Sequence, residues 1–276
     1  MRIATVQMEP VWKDQGANLA QVDRLLGELA AQGVRLAVFP ECALSGYELT
    51  LDEASHLAHP LPGPQSSALV DLAQKHGLFF QIGLLEQGRD GAIYNSCVLV
   101  SPGGLVGSYR KTHLPYLGVD RYLTPGEQIG PVLETDLGRL GSLICYDLRF
   151  PEPARVLALL GAQIILVSTA WPASAHLYPE FLARARAAEN GVYLAAANRI
   201  GREGAGTYLG RSLIINPSGS VLAEGSEDRA EVLICDIAAD ESDEKRRIFI
   251  PGEYELDLFG DRRPELYGAL VQESGA

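Results

Sequence analysis

Three residues in this chain combine type and setting in a way that could carry covalent chemistry: Cys145, Glu41 and Lys111. Cys145 ends the apolar run Ser142-Leu143-Ile144 and is followed by Tyr146-Asp147-Leu148-Arg149-Phe150-Pro151-Glu152. The run reads as a buried strand and Pro151 suits the first turn of a helix, which puts the thiol on a tight strand-to-helix corner. There a side chain projects past the sheet edge, and the free amides of the helix N-terminus favour a thiolate and any oxyanion its attack produces. Glu41 follows the apolar run Leu36-Ala37-Val38-Phe39 and Pro40, so it too lies at a strand exit. Its neighbours Cys42-Ala43-Leu44-Ser45-Gly46-Tyr47 are mostly small or apolar, a setting that desolvates a carboxylate and raises its pKa toward that of a useful base. Lys111 stands just beyond a third strand, in Ser108-Tyr109-Arg110-Lys111-Thr112-His113-Leu114-Pro115. Taken singly, each has a plainer reading: a core cysteine, a surface acid, one half of a solvated basic pair. If the three strand ends converge, Glu41 takes the Cys145 proton. Lys111 then lowers the thiol's pKa and stabilises the oxyanion formed when sulfur attacks a carbonyl or nitrile carbon.

The elements that must bring these ends together alternate along the chain. Ile3 to Met8 reads as a strand, Asn18 to Ala31 as a helix with Leu19, Val22, Leu25, Leu26 and Leu29 at helical spacing, and Leu36 to Phe39 as the next strand. A helix over Ser66 to Lys75 precedes hairpin-like strands at Leu78 to Leu85, Tyr94 to Val100 and Leu105 to Tyr109. The second half repeats the pattern: strand Leu140 to Ile144, helix Pro151 to Leu160, strand Ile164 to Ser168, helix Glu180 to Glu189. Strands at Val192 to Ala197, Ser212 to Ile215, Val221 to Ala223 and Val232 to Ile237 follow. Two similar halves predict an α/β fold in which two mixed sheets pack face to face under outer helices, a four-layer α-β-β-α sandwich; a doubly wound single sheet is the alternative. No Pro/Ser-rich linker divides the chain, so residues 1–276 read as one domain rather than two smaller ones. From about residue 245 to 276, Phe249, Ile250, Tyr254, Leu258 and Phe259 occur without helical or strand periodicity, which predicts an irregular arm packed on the body or on a partner subunit.

Composition excludes several classes. At 276 residues, 47% of them hydrophobic and 21% charged, the chain can bury a full core, and its net charge of -12 disfavours nucleic acid and anionic membranes as partners. The N-terminal run lacks the apolar core and cleavage site of a signal peptide, and no segment approaches a membrane span. With four Cys (Cys42, Cys97, Cys145, Cys235) and no such signal, a cytoplasmic location is expected. Neither the Cys nor the His residues fall at metal-ligand spacing, which argues against a zinc enzyme.

The three segments, in this order and spacing, resemble the carbon-nitrogen hydrolase (nitrilase) superfamily: Phe39-Pro40-Glu41 with Ser45-Gly46-Tyr47, then Tyr109-Arg110-Lys111-Thr112-His113-Leu114, then Ile144-Cys145 through Glu152. The likeness extends to Arg184, Arg186, Ala188-Glu189-Asn190, Ala197-Asn198 and Gly210-Arg211-Ser212. The resemblance implies the α-β-β-α sandwich, assembly into a homodimer or higher homo-oligomer, and a Glu-Lys-Cys triad needing no metal or organic cofactor. Glu41 is then the general base, Lys111 the electrostatic stabiliser and Cys145 the nucleophile, with the Tyr146 amide completing the oxyanion hole. An amide substrate would lose ammonia and leave a thioester, which water activated by Glu41 would hydrolyse.

The family usually carries a second carboxylate between the Lys and the Cys. This sequence departs from that pattern, and Asp120 is the favoured substitute, with Glu127 the other option. The segment after Cys145 is similar to amidase-type members that act on small ω-amido acids, whereas true nitrilases tend to carry Trp-Glu there. Carbamoyl-amino-acid hydrolysis and nitrile hydrolysis stay open as alternatives. Arg149 occupies a position similar to one that holds a substrate carboxylate in carbamoyl-amino-acid hydrolases; its other reading is an ion pair with Asp147 or Glu152. Thr169, Ala170 and Trp171 follow a strand end and are expected to rim the pocket, with Tyr47, Tyr116 and Tyr146 as further walls. His113 is the rival base, in a Cys-His dyad, and a non-catalytic binding or scaffold subunit is the rival class.

Overall fold

The chain builds two six-stranded sheets, one mainly from each half. The computed structural model describes residues 1–272. Its first half comprises β1 (Arg2–Gln7), α1 (Gln15–Ala31), β2 (Leu36–Val38), α2 (Leu51–Leu57), α3 (Pro64–His76), β3 (Phe79–Gln87), β4 (Ile93–Ser101) and β5 (Gly104–Arg110). The second half begins with β6 (Leu133–Thr135), β7 (Gly138–Ile144), α4 (Pro151–Leu159), β8 (Ile164–Thr169), α5 (Ala183–Asn190) and β9 (Tyr193–Asn198). There follow a two-residue ribbon of β10 (Arg202–Glu203) and β11 (Gly206–Thr207), then β12 (Leu213–Ile215), β13 (Val221–Glu224), β14 (Glu231–Asp236), β15 (Arg246–Ile250) and β16 (Tyr254–Asp257).

The first sheet runs β14-β1-β2-β3-β4-β5 and the second β13-β12-β9-β8-β7-β6. In each, three neighbouring strands are parallel (β1, β2, β3 and β7, β8, β9) and the rest antiparallel. The carboxyl ends of parallel strands lie along one edge, which is how segments distant in sequence come to share a site. β14 returns from the second half to pair with β1, Arg2 opposite Asp236, so the halves are stitched as well as stacked.

Three apolar layers follow. Ile3, Leu36, Val38 and Leu99 of the first sheet meet Leu140, Ile164, Leu166 and Ile214 of the second. On the outer faces, Val22, Leu26, Leu29 and Leu69 of α1 and α3 cover Val6, Ala37 and Phe80, and Ala154, Leu157, Ala183 and Ala187 of α4 and α5 cover Leu143, Ile165 and Leu194. This is the α-β-β-α sandwich; two separate sheets rule out the single doubly wound one. Helix boundaries follow local chemistry: the Asp14 carboxylate accepts from Ala17 N to start α1, while α3 opens on Pro64 and stops at Gly77 with φ 72°.

Several elements differ from expectation, among them the short strands β6, β10 and β11, which the sequence reading did not include. α2 has no counterpart in the sequence reading, although Thr50 and Glu53 form a reciprocal capping box at its start. The expected irregular arm contains an antiparallel hairpin, β15 against β16, whose alternation is hidden by short strands and a register shift between Ile248 and Ile250. The root of the arm rests on the body: Lys245 Nζ donates to Asn190 O and Gly191 O at the end of α5, and Phe259 packs against the α4 and α5 cluster. Ile248, Phe249, Ile250 and Tyr254 remain exposed. The end of the expected arm, residues 273–276, lies outside the described residues. Among the described residues, no helix is long and apolar enough to cross a membrane.

Candidate active site

Glu41 lies three residues beyond β2, Lys111 is the first residue after β5, and Cys145 is the first after β7. Each is placed by a local device. Gly83 of β3 presses against the Glu41 backbone, since a Cβ there would meet Glu41 Cα and Cys42 N at 2.6 Å, and its amide donates to Pro40 O. Glu41 N donates in turn to Thr169 O, 3.3 Å away at the end of β8. Lys111 N donates to Asn95 O of β4 at 2.8 Å, continuing the β4-β5 ladder one step past the strand. Cys145 turns at φ 46°, a left-handed backbone that costs a residue with a Cβ about 1–2 kcal/mol. Its corner leads into a 3-10 turn, Cys145–Arg149, rather than directly into α4.

Asp147 holds that corner to the Lys111 segment. Its buried carboxylate accepts from Ile144 N, Tyr109 Oη, Thr112 Oγ1, His113 N and His113 Nδ1, all within 3.0 Å. A buried polar bridge ties the two sheets nearby: Gln81 Nε2 donates to Ser168 Oγ, Ser142 Oγ to Gln81 Oε1, and Ser168 Oγ to Phe39 O.

Lys111 Nζ donates to Glu41 Oε1 at 2.6 Å and to Asp120 Oδ2, and all three side chains are fully buried. Asn95 Nδ2 donates to both Glu41 Oε1 and Asp120 Oδ1, each at 2.7 Å, and Tyr47 Oη donates to Asp120 Oδ2 at 2.8 Å. Asp120 sits on a 3-10 turn begun by Gly118, whose φ of 48° and lack of a Cβ let the Tyr47 ring lie against it. Glu127, the other option for the second carboxylate, is exposed and does not contact Lys111.

Burial pushes the Glu41 carboxyl up, and Asp120 adds to this; Lys111 and the Asn95 hydrogen bond oppose it without cancelling it. Burial alone would lower the Lys111 ammonium, but Asp120 and Glu41 outweigh it and raise it, so the lysine is a fixed cation. The Cys145 thiol is also pushed up, first by burial and then by the Glu41 charge, against Lys111, the Ala170 amide and Thr169. Thr169 Oγ1 itself meets no hydrogen-bond partner of good geometry. Lys111 thus acts in the expected direction, toward the thiolate, but burial and the Glu41 charge outweigh it. The difference lies in the depth of burial, which local sequence does not reveal.

The expected pocket walls separate. Tyr47, Ala170 and Trp171 are buried, Tyr146 is half-buried against Phe150, and Tyr116 is 88% exposed with its ring near Arg121. Arg149 is exposed, and its guanidinium makes no ion pair or hydrogen bond among the described residues; Asp147 is engaged elsewhere, so the expected pairing with Asp147 or Glu152 does not form. His113 binds Asp147 and stacks on Phe150 at 4.3 Å, a structural placement. No trio of His, Cys, Asp or Glu side chains among the described residues is placed to hold a metal ion.

Three residues were missed. Tyr178 stacks on Trp171 at 5.3 Å, and burial pushes its phenol up in pKa. Asn95 joins both carboxylates. Glu203 pairs with the buried Arg199 and accepts from Tyr47 N and Glu48 N. Only Asn95, an amide at a fully buried position of β4, carried a local signal.

Comparison with known proteins agrees with this geometry. The carbon-nitrogen hydrolase family profile matches residues 2–247. A nitrilase of Pyrococcus abyssi is 36% identical over 272 residues, covering 97% of this chain and 99% of its own, and the omega-amidase of Danio rerio is 32% identical over 287 aligned positions, covering 99% of each. In solved structures, a Glu-to-Gln variant of the amidase from Nesterenkonia sp. AN1, carrying acrylamide added to its active-site cysteine, superimposes with a TM-score of 0.80. It is 29% identical, over 98% of this chain and 100% of that one. With its two mixed sheets, and with Glu41, Lys111 and Cys145 at adjoining strand ends, the chain belongs to the carbon-nitrogen hydrolase family of the nitrilase superfamily.

Proposed function

We propose that this carbon-nitrogen hydrolase is an amidase acting on small linear amides of the ω-amido acid type. The observation that carries the reading is the buried Lys111 ammonium held between Glu41 and Asp120, near a Cys145 thiol whose pKa burial pushes up. A thiol in that state needs a base, and Glu41 is the carboxylate whose charge acts on it. Cys145 Sγ attacks the amide carbon as Glu41 takes the S–H proton. The ammonium of Lys111 has three N–H donors, two given to carboxylates, which leaves one for the oxyanion beside the Tyr146 amide. Glu41 returns the proton to the leaving nitrogen, ammonia departs, and a thioester remains. Water then loses a proton to Glu41 and attacks, and the released thiolate is reprotonated as the acid leaves.

Asp120 acts as the second carboxylate by fixing Lys111. The unpaired Arg149 guanidinium suits a substrate carboxylate, while Tyr47, Ala170, Trp171 and Tyr146 form walls; exposed Tyr116 serves only at the mouth. The same guanidinium would also suit an N-carbamoyl amino acid, which is the second reading. The apolar hairpin face at Ile248 to Tyr254 is consistent with a homodimer or larger homo-oligomer, and the four unpaired cysteines fit a reducing, cytoplasmic compartment.

Ammonia release from a panel of ω-amido acids, simple aliphatic amides, N-carbamoyl amino acids and nitriles tests this reading. The ω-amido acids should turn over fastest, and Arg149→Ala should raise their KM while leaving neutral amides unaffected. Preference for nitriles, or no turnover of any amide, would contradict it.

A further inference from the structure

Glu41 has two oxygens in very different states. Oε1 receives Lys111 Nζ at 2.6 Å and Asn95 Nδ2 at 2.7 Å, while Oε2 is buried without a hydrogen-bond partner among the described residues. A buried carboxylate oxygen left unpaired is costly and calls for an explanation. Asn95 touches every part of this cluster. Its carbonyl accepts from Lys111 N, its two Nδ2 protons go to Glu41 and Asp120, and its Oδ1 faces Cys42 Sγ at 3.8 Å. With a carboxylate on either side of Nδ2, only the amide orientation that presents the NH2 to them satisfies the site.

We infer that Asn95 is a positioning residue for the reaction: with Lys111 it occupies Glu41 Oε1 and keeps it out of the chemistry, leaving Oε2 as the atom that takes the Cys145 proton. A carboxylate with both oxygens free could rotate and spread its basicity over two positions. One pinned at Oε1 presents a single acceptor in a fixed direction, which is what transfer from a buried thiol requires. Asn95 also places two N–H dipoles between Glu41 and Asp120, carboxylates that would otherwise repel across Lys111. The remaining titratable groups facing Glu41 are Cys145, Cys42 and Tyr47, and burial pushes all three up, so they stay neutral while Glu41 titrates.

This inference rests on Glu41 being the base, and the test separates the two. The rate of Cys145 alkylation by iodoacetamide, followed by peptide mapping across pH, should show an acid limb in the native enzyme that Glu41→Gln removes. Asn95→Ala withdraws a hydrogen bond that favours the ionised carboxylate, so its limb should move to higher pH by roughly one unit while the alkaline plateau recovers. Asn95→Ser is too short to bridge both carboxylates and should shift the limb in the same direction, which keeps the test available if the alanine variant folds poorly. A lowered plateau with an unmoved limb in either variant would overturn the positioning role while leaving the base intact. An unaltered limb in Glu41→Gln would instead remove the base assignment itself.

Discussion

Cys145 and Glu41 are both pushed up in pKa by burial, so in the proposed mechanism the thiol attacks only when the adjacent carboxylate is ionised. The acid limb of kcat/KM should therefore lie above 4.5, the ordinary glutamate value, and disappear in Glu41→Gln, whose kcat should fall by about 10²–10⁴-fold. The same shift has a consequence for folding. A carboxyl whose pKa is higher in the folded state contributes stability that is fully present below its unfolded pKa and is lost as pH rises through the folded value. Melting temperatures of the native chain and Glu41→Gln, followed upward from pH 4.5, should thus shift progressively in favour of the variant; a constant difference would contradict the raised pKa. Glu41, Lys111 and Cys145 were legible because each stands just beyond a segment that reads as a strand. Asp120 was favoured over Glu127 in the sequence, where Glu127 follows the turn-forming Pro125-Gly126, but the Gly118 turn and the Tyr47 hydroxyl that hold it were not legible.

At the scale of elements, the site depends on close approaches between strand ends that are far apart in sequence. Gly83→Ala would drive a Cβ into the Glu41 backbone, destabilising the fold by about 1–3 kcal/mol and lowering kcat/KM. Gly268→Ala, which meets nothing within 4 Å, should do neither in the same urea titrations. Glu203→Ala should cost about 3–5 kcal/mol, because it strands the Arg199 charge in the interior and frees the Tyr47 and Glu48 amides. Helices with long apolar periodicity, such as α1, could be read directly. The capping box at Thr50 and Glu53 was a readable signal for α2 that hydrophobic periodicity over so short a segment does not supply. Glu203 was out of reach of any local reading, since its partner Tyr47 lies 156 residues away. The sequence offered Asp147 only as one possible partner of Arg149; its actual donors at Tyr109, Thr112 and His113 follow a strand of the other sheet.

For the whole molecule, repetition of the strand-helix pattern in the two halves was enough to expect two sheets, and the inter-sheet cluster from Ile3 to Ile214 is where they meet. The crossing of β14 to the first sheet was not foreseen, as pairing with β1 is a long-range choice that alternation alone does not encode. The exposed Ile248, Phe249 and Ile250 should lie in a subunit interface, so Phe249→Glu should reduce the assembly seen by sedimentation without loss of secondary structure; an unchanged assembly would place the interface elsewhere. We propose that this molecule breaks carbon-nitrogen bonds through a thioester on Cys145. Acid-quenching the native enzyme during turnover of its best amide, with mass analysis of the Cys145 peptide, should reveal that peptide carrying the substrate's acyl group, with ammonia already released. Ammonia production at the native rate by Cys145→Ala, or an acyl group on any other residue, would contradict it.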